Sequence, residues 1–430
     1  VPDRTTGRET ADRLLAHLDA SPSPYHAAAR AADLLTAAGF AEVDEGADWR
    51  GALPDHWFVR RGGALVAADW PAGVDPATPL RIVGAHTDSP NLRLKPNPTS
   101  SSAGWQRLGV EVYGGPLLNS WLDRDLGLAG RVSVRRDSGA TVELVRLEGP
   151  VARIPQLAIH LDREVNQGLA LNPQQHLRPL WAAEGAEDVL TAVGRAVGVD
   201  PADLLAWDLM FHDVQPAALT GPNQELLVSG RLDNLVSCFA ATEALTGLDG
   251  EPTTVGIVCL FDHEEVGSVS RTGADGHLLP GLVERAHAAR GGDVDTLARA
   301  LSASACVSAD MAHATHPNHT EKHDPEHAVR INGGPVVKVN SSQRYASDAD
   351  SAVPFLDAAQ RAGVPVQHFV SRSDLPCGST IGPVTAARLG IATVDVGVPQ
   401  FAMHSARETS GAEDPELFRQ ALVAFLRPSG

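Results

Sequence analysis

The feature that most limits how this chain can fold is an alternation of two kinds of segment. A short, unbroken apolar run ends in polar residues, and an Ala- and Leu-rich segment usually follows. "PLRIVGAHTDSP", "TTVGIVCLF", "SASACVSAD", "GPVVKVN" and "IATVDVGV" are such runs. They are too short for helices and too continuously apolar for a half-exposed strand, so they read as strands buried on both faces. Buried strands alternating with helical segments predict a layered α/β domain, with a mixed, mostly parallel sheet flanked by helices. At the start of the chain, "RETADRLLAHLDA" and "SPYHAAARAADLLTAAGF" carry helical spacing. Ser and Pro open the second and Gly39 closes it, and "HWFVRRGGALVAADW" reads as a hairpin.

The texture changes after residue 92. "NLRLKPNPTSSSAGWQ" is rich in Pro, Asn and Ser and reads as a loop. "LGVEVYGG", "LAGRVSVRR" and "TVELVRLE" have strand character, "EDVLTAVGRAVG" is more helical, and "QELLVSGRLDN" returns to a strand-to-helix pattern. Residues 1–92 and 226–430 are therefore expected to form one domain, with residues 93–225 inserted as a β-rich second domain. A length of 430 residues exceeds one ordinary core and suits that division.

The net charge of −18 argues against nucleic acid or an anionic membrane as a partner. The N-terminal "VPDRTTGRET" has no apolar signal core, and no apolar run reaches membrane-spanning length. Cys238, Cys259, Cys306 and Cys377 are widely spaced with no C-x-x-C pair. Buried free thiols are expected, which suits a reducing compartment and a cytoplasmic location.

Open α/β sheets place their sites beyond the carboxyl ends of their strands. After "LRIVGA" come His86, Thr87 and Asp88. After "ELLVSGRL" comes Asp233, and after "GIVCLF" come Asp262, His263, Glu264 and Glu265. Asp310 follows "SASACVSA", and His404 follows "IATVDVGVPQFAM". Five segments thus end in residues able to bind a divalent cation, and none offers a thiolate. Two His and three carboxylates suit a pair of Zn²⁺ ions, with Mn²⁺ or Co²⁺ as alternatives. One carboxylate would bridge the ions. One glutamate of the Glu264–Glu265 pair would bind metal, and the other would take the proton of the attacking water. Asp88 is placed to orient the His86 ring. Each piece alone has a plainer reading: "RLDN" as a helix cap, the paired glutamates as a solvated turn, and the His-rich "MAHATHPNHTEKHDPEH" as a polar surface loop. The weight lies in their joint placement.

Together, "GAHTDSPNLRLK", "SGRLDN", "FDHEEVGS", "SADMAHATHPN", "GGPVVKVNSSQRYAS", "PCGSTIGP" and "AMHSARE" resemble the aspartyl aminopeptidases, co-catalytic zinc exopeptidases. The resemblance runs from about residue 12 to 425. It implies a zinc-exopeptidase-like catalytic domain in which His86 and Asp310 hold one metal, Glu265 and His404 hold the other, and Asp233 bridges. It also implies that Glu264 is the general base and that Asp88 orients the first histidine. His160, in "IPQLAIHLDREVN", matches a histidine that reaches a neighbouring subunit's active site. Lys338 and Tyr345 match positions that meet the side chain of an N-terminal Asp or Glu. The family's assembly is a tetrahedral dodecamer, with the inserted domain making dimer contacts. The function so implied is removal of acidic N-terminal residues from peptides. The alternatives are a broad-specificity aminopeptidase or other dinuclear amidohydrolase, and a non-catalytic scaffold that keeps its metals for stability.

Overall fold

A computed structural model describes residues 4–428. Its centre is a nine-stranded sheet with the order Ala41–Glu42, His56–Arg61, Ala64–Asp69, Val255–Phe261, Leu80–His86, Ala305–Ala309, Ala392–Gly397, Val336–Val339, Gln367–Val370. The middle four strands, Val255–Phe261 through Ala392–Gly397, run parallel. Antiparallel pairings flank them on both sides. The sheet is thus mixed with a parallel centre, and the five continuous apolar runs all lie in it. The hairpin forms over His56–Asp69, and the strand Gln367–Val370 joins the far edge unanticipated.

The continuous apolar runs follow from burial on both sides. Along Val255–Phe261, Val258 and Leu260 enter one core while Ile257, Cys259 and Phe261 enter the other. The first core is closed by the helices Pro24–Ala37, Leu232–Thr246, Val353–Arg361 and Asp414–Leu426, with Phe239, Phe355, Phe418 and Phe425 inside. The second is closed by Leu278–Ala289 and Ile381–Leu389. Each fully buried side chain of this size contributes roughly 1.5–3 kcal/mol. The expected N-terminal helices form. Ser23 accepts the His26 N–H as a cap, Pro24 takes the first turn, and Gly39 leaves the helix at φ +90°.

A seven-stranded sheet takes its strands from residues 91 to 213 around its own core of Leu92, Leu126, Leu128, Val132, Val134 and Phe211. The segment "NLRLKPNPTSSS" is not a loop. It is the strand Asn91–Ser102, paired antiparallel with Trp105–Tyr113. The ladder is irregular between Leu94 and Thr99, where Pro96 and Pro98 sit, so the missing N–H groups interrupt no regular pairing. The expected helix forms as Val189–Val197, between the Asp188 cap and left-handed Gly198.

A third sheet of five short strands was not anticipated: Ala218–Thr220, Leu226–Ser229, Glu408–Gly411, Pro399–Phe401 and Ala312–His313. It draws "ELLVS" and the continuation of "IATVDVGV" away from the central sheet. All four cysteines are free thiols, with Cys238, Cys259 and Cys306 buried and Cys377 partly so. Among the described residues no helix is long and apolar enough to cross a membrane.

Candidate active site

The carboxyl ends of the parallel strands converge at one edge of the large sheet. His86 is the last residue of its strand, Asp310 follows Ala309, and Glu264 and Glu265 begin a turn just beyond Phe261. The strands pack closely here. A Cβ at Gly397 would lie 1.9 Å from the Asp310 carbonyl oxygen, so only glycine fits. Asp233 and His404 arrive from the five-stranded sheet. Asp233 follows Leu226–Ser229, and His404 lies in the turn between Pro399–Phe401 and Glu408–Gly411.

The structure brings these side chains together. His86 Nε2 lies 3.4 Å from Asp233 Oδ1 and 3.4 Å from Asp310 Oδ1. His404 Nε2 lies 3.5 Å from Asp233 Oδ2 and 3.3 Å from Glu265 Oε2. Asp233 therefore turns one oxygen toward each histidine, the posture of a bridging carboxylate. It is not the helix cap: Arg231 occupies that position, and Asp233 Oδ1 accepts no hydrogen bond. Glu264 Oε2 stands further back, 3.9 Å from His86 Nε2.

The tautomers fit cations. The His86 Nδ1–H points to the Asp88 carbonyl oxygen at 2.9 Å, and the His404 Nδ1–H to the Gly115 carbonyl oxygen at 3.0 Å. Nε2 is thereby left as the atom that each neutral ring would offer a cation. Asp233 Oδ1 and Glu265 Oε1 are buried with no hydrogen-bond partner, and His86, Asp233 and Glu265 offer donor atoms within 4.8 Å of one another. Hard oxygens, imidazole nitrogens and orphaned carboxylate lone pairs together suit divalent cations.

Asp88 does more than was expected of it. Its carbonyl is nearest the His86 ring, while its buried carboxylate accepts the Tyr113 O–H at 2.6 Å and the Glu264 and Glu265 N–H groups at 3.1 Å each. It thus fixes the turn that lets two adjacent glutamates serve one site. That turn is a short 3₁₀ element, Glu264–Val266, entered through left-handed His263 at φ +67°. A regular strand would have sent the two carboxylates to opposite faces.

Without cations, the negative charge is frustrated. Burial pushes the Glu264 carboxyl up to about 8, with the charges of Asp310, Asp88 and Asp233 adding to it. Burial and the charge of Asp233 push Glu265 well above the usual carboxylate range. Burial works to lower His404, but the carboxylates of Asp233 and Glu265 outweigh it and hold the ring up to about 10. Divalent cations would balance this excess of carboxylate.

The site opens into a cavity of about 450 Å³ whose lining includes Lys338, Tyr345 and His313. Lys338 is 2% exposed. Its Nζ lies 3.2 Å from Asp310 Oδ2, 3.2 Å from the Met311 carbonyl oxygen and 5.1 Å from the centre of the Tyr345 ring. His160 is not brought to this cavity. It sits on an exposed segment without regular structure, between exposed Ile159 and Leu161. Sequence reasoning missed two residues that hold the site, Tyr113 and Glu408. Glu408 is buried and accepts the N–H groups of both Asp233 and His404. It lay within the quoted "AMHSARE", but nothing local distinguished it from a surface glutamate.

Known proteins share the sequence and fold of this chain. The family model described as aminopeptidase I zinc metalloprotease (M18) matches residues 17–426. A probable M18 family aminopeptidase 2 of Streptomyces coelicolor is 50% identical over 424 residues, covering 97% of each chain. One from Mycobacterium tuberculosis is 48% identical over 425 residues, covering 97% of this chain and 98% of the relative. Among solved structures, a chain in the cryo-EM structure of the Ape4 and Nbr1 complex superposes with a TM-score of 0.95 at 36% identity, covering 98% of this chain and 86% of that one. The S. cerevisiae mApe1 dodecamer gives a TM-score of 0.84 at 28% identity, covering 97% and 96%. By sequence and by fold, the chain belongs to the M18 family of zinc metalloproteases, which includes the aspartyl aminopeptidases, and is a metal-dependent aminopeptidase.

Proposed function

We propose that this aminopeptidase removes N-terminal Asp and Glu from peptides, using two divalent cations and Glu264 as general base. His86 and Asp310 would hold one ion, His404 and Glu265 the other, and Asp233 both. Zn²⁺ is the first candidate, and Mn²⁺ or Co²⁺ suit the same donors. When bound, the two ions would make a water nucleophilic near neutral pH and steady the oxyanion. Glu264, set back from the five ligands, would receive that water's proton and pass it to the leaving amine. Asp88 would keep both the His86 ring and the glutamate turn in place.

The observation that carries the acidic preference is Lys338, a buried cation lining the same cavity as the proposed ligands. Buried ammonium groups need an anion. Tyr345 would complete the pocket for the substrate's side-chain carboxylate. Hydrolysis of Asp- and Glu-amide reporters should exceed that of a Leu-amide by at least about tenfold, the size of one good charge-assisted contact. Lys338→Ala should erase that gap more than it lowers turnover of the neutral reporter, since Lys338 also touches Asp310; an unchanged gap would remove Lys338 from the specificity. One observation favours the broad-specificity reading. Asp310 already faces Lys338 at 3.2 Å, so the ammonium has an anion before substrate arrives. The reporter panel decides between the two.

The assembly reading is a twelve-chain particle in which residues 93–225 form an inserted β-rich unit making dimer contacts. The dodecamer described for the yeast neighbour supports it. So do exposed Leu157, Ile159 and Leu161 around His160, which would be covered when that histidine reaches a neighbour's cavity. We place the chain in the cytoplasm, consistent with four free thiols. Light scattering of the purified chain should return a twelve-chain species, and a stable monomer would refute the assembly.

A further inference from the structure

We propose that Glu408 is a positioning residue for one of the two cations, and that it sets the affinity of that site without touching the ion. The inference rests on the two-ion reading above. Glu408 opens the strand Glu408–Gly411, and its side chain is 1% exposed. Its two oxygens act as a fork: Oε2 accepts the Asp233 N–H at 3.0 Å and Oε1 the His404 N–H at 2.7 Å. Asp233 and His404 lie on separate segments, and their side chains meet at 3.5 Å.

Neither N–H has a local alternative. His404 sits in the left-handed region at φ +68°, in the turn that leaves Pro399–Phe401. Asp233 breaks helical geometry, with φ −80° and ψ 103°, ahead of the regular part of its helix, so its N–H has no carbonyl one turn back. A single buried carboxylate thus fixes the spacing between the bridging ligand and the His404 ring. The other site is anchored differently. His86 ends a strand of the large sheet and points its Nδ1–H at Asp88, while the Asp310 N–H donates to Val396 at 3.0 Å. Loss of Glu408 should therefore weaken the His404–Glu265 site, which loses the anchor of both His404 and Asp233, more than the His86–Asp310 site, which shares only Asp233.

The test is zinc binding by the purified full chain, titrated against a chromophoric chelator, for wild type, Glu408→Ala and Glu408→Gln. Wild type should bind two ions tightly. Glu408→Ala should bind one tightly and the second about 10–100-fold more weakly, the range found when a partner behind a metal ligand is removed. Glu408→Gln keeps one acceptor oxygen but turns an amide toward the other N–H, so its second site should fall by a smaller factor. Saturating zinc should restore much of the kcat of Glu408→Ala, with KM little changed, which a merely structural defect would not permit. Two equally tight ions in Glu408→Ala overturn the proposal. So do equal losses at both sites, or failure of both variants to fold, since either would assign Glu408 to the fold at large. Fewer than two ions in wild type would instead sink the two-ion reading on which the proposal stands.

Discussion

Replacing Glu264 with Gln tests the chemistry and the electrostatics together. The carboxyl moves from 4.5 in the unfolded chain to about 8 in the folded one, chiefly through burial, with neighbouring carboxylates adding to it. Between those pH values the folded state keeps a proton that the unfolded state has lost. The stability of the cation-free chain therefore falls as pH rises through that window. At about 1.4 kcal/mol per pKa unit, the penalty reaches a few kcal/mol above pH 8. A neutral glutamine of the same shape escapes it. In chelator, Glu264→Gln should match wild type near pH 4.5 and be more stable by a few kcal/mol near pH 9, read from urea unfolding followed by the fluorescence of seven tryptophans. Zinc should shrink that difference, because nearby cations favour the carboxylate. Turnover should fall by about 10²–10⁴-fold while both ions stay bound. A flat stability difference between pH 5 and 9, or a variant within tenfold of wild-type turnover, would refute the roles given to Glu264.

Other outcomes follow from the same contacts. Tyr113→Phe strips one donor from the buried Asp88 carboxylate and should cost roughly 1.5–3 kcal/mol in urea unfolding, with turnover falling as the glutamate turn loosens. His17 is buried against Phe239, and burial depresses its ring to about 3. The unfolded chain therefore binds the proton more readily, and stability present above pH 6.5 is lost as pH falls toward 3. His17→Leu should lower the midpoint of acid unfolding measured by circular dichroism.

What could be read from the chain, and what could not, divides on physical lines. The central strands were legible because burial on both faces writes itself as an uninterrupted apolar run. Their terminal residues were legible because parallel strands share one carboxyl edge. The strand Asn91–Ser102 was hidden because its prolines sit at an irregularity in the ladder, where the usual veto on proline in sheets lapses. The five-stranded sheet was hidden because strands of two to four residues carry no measurable period. Tyr113 acts by bonding Asp88 and Glu408 by tying His404 to the distant Asp233, contacts that leave no mark on neighbouring sequence. Lys338 was expected to await an external anion, and the structure pairs it with Asp310 as well.

The end of the strand Trp105–Tyr113 and the residues after it carry a practical consequence. The Tyr113 hydroxyl holds Asp88, the Gly115 carbonyl orients His404, and the Leu117 N–H donates to the His404 carbonyl at 2.9 Å. A chain cut to residues 1–92 and 226–430 would lose all three of these supports, and so should fail to hold Asp88 and His404 in place. Any graft that swaps the β-rich region between relatives must carry residues 113–117 across the splice, or it will deliver a folded body with a slack catalytic floor.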